Sequence, residues 1–248
     1  MKNLVLTLFL TFAIQPGIAQ KKFDKLWEEV ETYELEGKLK DASEITDKIL
    51  KRAESSDQPA HLVKAFIYQS KFALLLEEEA QQQVISEIRR HIEKNEFPTN
   101  ALLQSVYAGF LEQYLNENQY RIRNRTETLA REISDNHETW DINTLVANIG
   151  DLFLASLSNE KRLQAIPIEN FEIRPSLYDF LAHRALDFFQ IDRPYVSRPK
   201  ERFLLNSPML FAMTDTFVSA RFPSIDSVFS HHKAISLYQK LEAFHQNS

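Results

Sequence analysis

The chain has 248 residues, 44% of them hydrophobic, and its 29 basic against 35 acidic residues give a formal net charge of −6. The acidic surplus disfavours a nucleic-acid or anionic-membrane partner. There is no cysteine, hence no disulfide and no thioester, and only four isolated glycines, Gly17, Gly37, Gly109 and Gly150, too few for a phosphate-binding loop, a dinucleotide fingerprint or a nucleophile elbow.

Residues 1–19 read as an export leader: Lys2 supplies the positive start, Leu4 to Ile14 the apolar stretch, Pro16-Gly17 a break and Gly17-Ile18-Ala19 a small-residue cleavage site. A membrane anchor is the alternative, but the apolar run would be only ~16 Å long as a helix against the ~30 Å of a bilayer core. Cleavage before Gln20 removes one basic residue, Lys2, leaving 28 basic and 35 acidic residues and a net charge of −7. The mature chain is expected in a periplasm or outside the cell, not as a lipoprotein and with no stable membrane insertion.

From Phe23 onward the apolar spacing is helical. Phe23, Leu26, Trp27, Val30 and Tyr33 share one face, and Gly37 ends that helix. A second helix, about 39–53, carries Ala42, Ile45, Ile49 and Leu50, and Ser55 to Pro59 breaks it. A third follows with Leu62, Ala65, Phe66, Phe72 and Leu75. Glu77-Glu78-Glu79 marks the next boundary, before Val84, Ile88 and Ile92, and Pro98-Thr99-Asn100 opens a fifth helix through Leu103, Val106, Tyr107, Phe110, Leu111 and Tyr114. Helix pairs recur at roughly 40 residues, the spacing of helical-hairpin repeats, although no residue string repeats.

Residues 118–138 read as polar and irregular. Arg121, Arg123 and Arg125 beside Tyr120 could form an anion or nucleic-acid patch; the plainer reading is a solvated loop whose arginines pair with the surplus carboxylates. His137-Glu138-Thr139-Trp140-Asp141 resembles a zinc-protease helix motif with aspartate for the second histidine, and as written it is better suited to capping a helix of about 140–156. Asn124-Arg125-Thr126 fits a glycosylation acceptor. Charge runs such as Glu28-Glu29 are read as solvated faces.

Residues 174–189 combine Pro175 as a first helical residue with Ser176 and Asp179 in the form of a capping box, followed by an apolar arc of Leu177, Tyr178, Leu181, Ala182, Ala185, Leu186, Phe188 and Phe189 covering about half the circumference. Such a helix needs packing partners on more than one side. Asp179, His183 and Asp187 at i, i+4 and i+8 lie along its other side and could offer oxygen, nitrogen and oxygen to a metal, the ligand set of a metal-dependent hydrolase; the competing reading is the polar edge of a half-buried helix, with Arg184 as an ion-pair partner. Residues 191–230, with Pro194, Pro199, Pro208 and Pro223, show no sustained period and are expected to be ordered only by packing on the helices. His231-His232 read as ordinary surface residues. Residues 233–245 read as one amphipathic helix with no second helix to pair with.

The fold class expected is all-α, an antiparallel helical-hairpin (TPR-like) array or bundle, divided as leader 1–19, helical array 20–190, irregular segment 191–230 and the first helix, 231–248, of a truncated unit. No catalytic, cofactor-binding or metal residue is assigned, no cofactor is invoked, and the chain is not read as an enzyme. A stand-alone adaptor binding a peptide or an envelope protein in a concave face is one functional reading of this pattern.

Several strings together are similar to the extreme N-terminal region of large bacterial alpha-2-macroglobulin family proteins: Phe23-Asp24-Lys25-Leu26-Trp27, Phe66 to Phe72, Thr139-Trp140-Asp141, Leu163 to Ile168, the 174–189 string and Leu237 to His245. The resemblance spans essentially the whole mature chain, and residues 174–189 are its most specific element. It implies a long exported protein in which a helical module precedes many β-sandwich domains, whose members trap or inhibit target proteases through a bait segment, some with a Cys/Gln thioester. None of those parts is written in these residues, so the resemblance implies a non-catalytic scaffold.

Overall fold

The computed structural model describes residues 18–77, 80–125, 136–168, 175–193, 196, 203–224 and 230–246. Among them are ten α-helices and two 3-10 turns, and the β-type pairing is a lone antiparallel bridge from Pro167 to Ser176. The protein is all-helical. The expected leader lies outside the described residues up to position 17, and no described helix is long and apolar enough to cross a membrane. The chain divides into two compact units, one of residues 1–107 and 159–177, the other of 108–158 and 178–248.

The first unit opens with α1 (Ile18–Leu35), α2 (Leu39–Ser55), α3 (Pro59–Leu76) and α4 (Ala80–Lys94). α3 begins 41 residues after α1 and α4 begins 41 after α2, so the hairpin period read from the sequence is present in the backbone. Phe23, Trp27 and Val30 of α1, Ala42, Ile45, Ile49 and Ala53 of α2, and Leu62, Phe66 and Phe72 of α3 are all buried. These are among the positions the helical spacing selects; Leu75, which it also selects, is 47% exposed, and Leu26 and Tyr33 are half-buried. α5 (Thr99–Arg123) follows Pro98 and supplies Leu102 and Leu103 to this core before passing into the second unit; α7 (Glu160–Gln164) adds Leu163.

Two helix ends close around a left-handed residue, each with an N–H reaching back to the carbonyl five residues earlier. After α1, the Gly37 N–H donates to the Glu34 carbonyl (3.0 Å) and the Lys38 N–H to the Tyr33 carbonyl (2.8 Å), with Gly37 at φ +72°. This is a Schellman closure, and the Lys38 ammonium lies 5.8 Å from the Tyr33 ring centre. After α2, the Gln58 N–H reaches back to the Ala53 carbonyl (3.0 Å) and the left-handed residue is Asp57, at φ 49°. A side chain in that region costs about 1–2 kcal/mol, less for aspartate.

The second unit holds α5 from Ala108 onward, α6 (Ile142–Ser156), α8 (Leu177–Phe189) from Tyr178, α9 (Thr214–Ser219) and α10 (Ser230–Gln246). Leu111, Tyr114, Leu115 and Ile122 of α5, Leu145, Ile149 and Phe153 of α6, and Ile235, Leu237 and Leu241 of α10 are buried. α6 and α8 approach closely at Gly150, where an added Cβ would sit 3.2 Å from the Phe189 ring.

Three expectations need correcting. α5 runs to Arg123, so 118–123 is helix: Ile122 continues the buried Leu111–Leu115 row, while the Asn118 and Asn124 amides donate to the carbonyls four residues earlier (3.0 and 3.1 Å) and leave the helix intact. α8 starts at Leu177, not Pro175, because residues 166–168 hold the preceding backbone extended: Ile168 N–H donates to the Pro175 carbonyl (2.9 Å) and Leu177 N–H to that of Ile166 (2.8 Å). The last helix does have helical partners. Phe244 meets the Tyr178 ring edge-on at 6.0 Å, and the α10 side chain Gln239 donates to the Phe217 and Ala220 carbonyls at 2.7 and 2.9 Å.

Because nothing lies within 4 Å of a Cβ added at Gly37, Gly37→Ala should cost only its backbone strain, about 1 kcal/mol, whereas Asp57→Gly should stabilise the chain by several tenths of a kcal/mol. Urea unfolding of both variants measures the two signs; equal signs would contradict this account of the turns.

Candidate functional site

Asp179, His183 and Asp187 lie along one side of α8, as their spacing dictates, but they do not converge. The Asp179 carboxylate is fully buried and accepts from Nε2 of His245 on α10 at 2.7 Å. His183 turns its Nδ1 onto the Asp179 backbone carbonyl, also at 2.7 Å, and Asp187 is exposed. Among the described residues no group of three or more His, Asp or Glu side chains is placed to hold a metal ion. Of the three, Asp179 ties α8 to another helix, while His183 bonds its own helix.

Beside it runs an ionic network between α5 and α8. Arg193, almost wholly buried, stacks its guanidinium 4.0 Å over the Phe188 ring, donates to the Phe188 and Ile191 carbonyls (2.9 and 3.3 Å) and lies 3.5 Å from the Glu112 carboxylate. Burial pushes Glu112 up, with Arg193 and Arg184 opposing and Asp187 adding to it. Burial lowers Arg184 against the pull of Glu112 and Asp187. An added Cβ at Gly109 would lie 3.0 Å from the Arg184 guanidinium, so the missing side chain makes room for that arginine.

The end of α5 and residues 136–141 form a second cluster. The Tyr114 hydroxyl accepts from Arg121 (3.3 Å) and Arg125 (2.9 Å), and Arg125 also donates to the Trp140 carbonyl at 2.8 Å. Arg121 and Arg125 thus bind a phenol and a carbonyl rather than the carboxylates expected of them, while Tyr120 is exposed. His137 begins a 3-10 turn, and Asp141 caps α6 by accepting the Thr144 N–H at 2.9 Å and the Thr144 hydroxyl at 3.0 Å. His137 is fully buried, edge-on to the Tyr114 ring at 4.6 Å, and neither ring nitrogen has a hydrogen-bond partner. Burial lowers its pKa, Arg125 adds to that and Glu138 opposes it. An imidazole in this setting is neutral and packed, which suits the capping role. Asn124 is exposed, while Thr126 of the glycosylation pattern lies outside the described residues.

His231 and His232 are half-buried rather than plain surface residues, with their Nε2 atoms on the Gln190 (2.9 Å) and Phe222 (2.7 Å) carbonyls. In the first unit, the Trp27 indole donates to Nδ1 of His61 at 3.1 Å, and the His61 ring stacks on Phe23 at 4.0 Å. Burial, with Lys64 adding, lowers His61 to about 4. Lys64 rides 4.0 Å over the Trp27 ring, and its own pKa is lowered by burial.

One cleft of the first unit, of about 270 Å³, is lined by Asp47 of α2, Phe66, Gln69 and Ala73 of α3, and Gln83 and Glu87 of α4. Its two carboxylates already hold donors from this chain: Gln69 on Asp47, and Arg90 on Glu87 at 2.6 and 3.1 Å. The sequence pass missed it, since its walls come from three helices whose polar faces look individually ordinary. No protein-family model, curated protein or solved structure matches this chain. What fold and site define is an all-α helical array in which several buried charged groups hold helices together.

Two tests follow from these contacts. Nδ1 of His61 must be unprotonated to accept from Trp27. The unfolded chain binds that proton near pH 6.5, the folded one only near 4, so stability contributed by this histidine is full above about 6.5 and falls as pH drops between the two values. Urea unfolding between pH 7 and 5 should show that loss, and His61→Gln, which keeps an acceptor, should reduce the slope by about 1.4 kcal/mol per pH unit; an unchanged slope would refute the assignment. Arg193→Ala strips Glu112 of its 3.5 Å partner and should cost about 3–5 kcal/mol. A loss under 1 kcal/mol in the same assay would mean that Glu112 is held by Arg184 or by solvent instead.

Proposed function

We propose that the chain is the non-catalytic N-terminal helical scaffold module of a large exported alpha-2-macroglobulin-like protein, a protease trap whose inhibitory parts lie outside these residues. The observation that carries this reading is the character of the 174–189 string, the most specific element of the resemblance. Ten of the thirteen residues of α8 are buried; Arg184 interacts with Glu112 of α5, Asp179 is bonded to His245 of α10 and His183 to the backbone of its own helix, while Asp187 is exposed. A string retained for packing fits a scaffold, and the ordered occurrence of the other strings along an all-helical chain is consistent with it. Proteins are the partners in this reading: target proteases engaged by the complete protein.

The second reading, a stand-alone exported adaptor for a peptide or an envelope protein, is favoured by the cleft between α2, α3 and α4. The two differ in the size of the mature product. An epitope inserted at the exposed α2–α3 turn, residues 56–57, at the native locus should report on immunoblot a secreted species several times the 29.0 kDa of this chain. A tagged species no larger than this chain would remove the scaffold reading and leave the adaptor.

A further inference from the structure

The cleft between α2, α3 and α4 is lined by polar side chains whose bonding capacity this chain does not use up. Gln69 donates to Oδ1 of Asp47, and Arg90 donates twice to Oε2 of Glu87. Among the described residues no hydrogen bond reaches Oδ2 of Asp47 or Oε1 of Glu87, and the Ser43 hydroxyl and the Gln83 carboxamide are not engaged. Acceptors thus stand on two walls, α2 and α4. Between them Val84 and Ala73 add apolar surface.

Charge decides the occupant. Two carboxylates line the cleft and, among the described residues that line it, none is basic, so an anion is repelled and a cation attracted. Arg90 offsets Glu87 only in part, because both side chains of this i, i+3 pair are exposed and solvent screens their attraction. A hard divalent ion takes about six or more oxygen ligands, and among the described residues no group of three His, Asp or Glu side chains is placed to hold a metal. An organic cation remains. At about 270 Å³ the cleft falls just below the ~300–1,000 Å³ of small-molecule pockets, which leaves room for one long side chain and none for a folded body. A guanidinium suits it better than an ammonium: its planar fork offers donors in two directions, one toward each acidic wall, and its methylene stem rests on the apolar surface between them. Ser43 and Gln83 each both donate and accept, which matches the alternating N–H and C=O groups of a polypeptide backbone and would be idle beside a free guanidine.

We propose that this cleft binds an arginine side chain presented by an extended segment of a partner protein, with Asp47 and Glu87 taking the guanidinium and Ser43 and Gln83 the flanking backbone. The inference shares with the adaptor reading the premise that the cleft receives a peptide. Titration of the purified chain with acetyl-alanyl-arginyl-alanine amide, followed by NMR, tests it, because the side-chain amide signals of Gln69 and Gln83 report from within the cleft. Both signals should shift and saturate, with a dissociation constant on the order of millimolar for a single anchored side chain. The citrulline analogue, of the same shape but uncharged, should bind about tenfold more weakly, and so should the arginine tripeptide to Glu87→Gln or to Asp47→Asn. Glu87→Gln should leave the urea midpoint where it is, so a weaker titration of that variant reads the site and not the fold. Propylguanidinium alone should bind more weakly than the tripeptide. Equal affinity for arginine and citrulline would overturn the proposal, as would the absence of saturation. Propylguanidinium binding as tightly as the tripeptide would also overturn it, assigning the cleft to a small free cation. The size of the mature product is a separate measurement: a product of this chain's size with no titration would refute the arginine site and leave the adaptor reading to another surface, whereas a larger product would refute the stand-alone adaptor and leave the site to the titration.

Discussion

The burial of α8 is the constraint on which the second unit depends. A helix with ten of thirteen residues out of solvent has almost no face on which a polar side chain can meet water, so each one needs a partner supplied by the fold. Asp179 sets the strictest condition. A lone carboxylate at zero exposure would cost several kcal/mol, and His245 answers it from 66 residues away, which fixes the height of α10 against α8. Glu112, Arg184 and Arg193 apply the same logic to α5. The charges that first suggest a metal centre are what make the helix packing specific: a purely apolar seam would allow α8 to slide or rotate by a residue, whereas a buried ion pair is satisfied in one register alone.

Histidine is used here as a packing residue rather than a reactive one. His61 lies face to face with Phe23, and His91 and His137 each meet an aromatic ring edge-on. Burial lowers all three, so each is a neutral aromatic at neutral pH. What separates them is hydrogen bonding: His61 accepts an indole proton, whereas His137 has no partner at either nitrogen. A neutral ring without partners has desolvated two polar atoms and gains from shape and ring contact alone. That balance favours a packed turn over a general base, which would need a donor or acceptor to orient it.

The helices were legible because their cause is local. Apolar residues at helical spacing, Gly37 after α1 and Pro59 at the start of α3 act within a few residues, and spacing selects the buried Phe23, Trp27, Val30, Ile45, Ile49, Phe66 and Phe72, though it also selects Leu75, which is 47% exposed. The partnerships were not legible because their causes are distant. The i, i+4, i+8 stripe on α8 correctly shares one side, yet nothing near Asp179 in sequence points to His245, and nothing near Arg125 points to the Tyr114 hydroxyl or the Trp140 carbonyl. The end of α5 was misjudged for a related reason. Asn118 and Asn124 are poor helix formers by local propensity, and it is the tertiary burial of Ile122 that outweighs them.

Residues 174–189 and 203–222 show how far composition underdetermines structure. Both are dense in Leu, Phe and Ala, and both are held to α10. One keeps helical periodicity, so its apolar groups accumulate on a continuous surface that other helices can cover. The other carries Pro208 between Leu205 and Met209 and breaks into a 3-10 turn and a six-residue helix, and its side chains cannot line up into a face that this unit can bury. What holds it is a set of side-chain donors on α10 reaching its carbonyls. The bonds to carbonyls are indifferent to which side chains the segment carries, whereas the Gln246 bond needs the Asp215 carboxylate. They fix the backbone without covering Phe211 or Met213, so the same contacts that order the segment also hold its apolar groups outward.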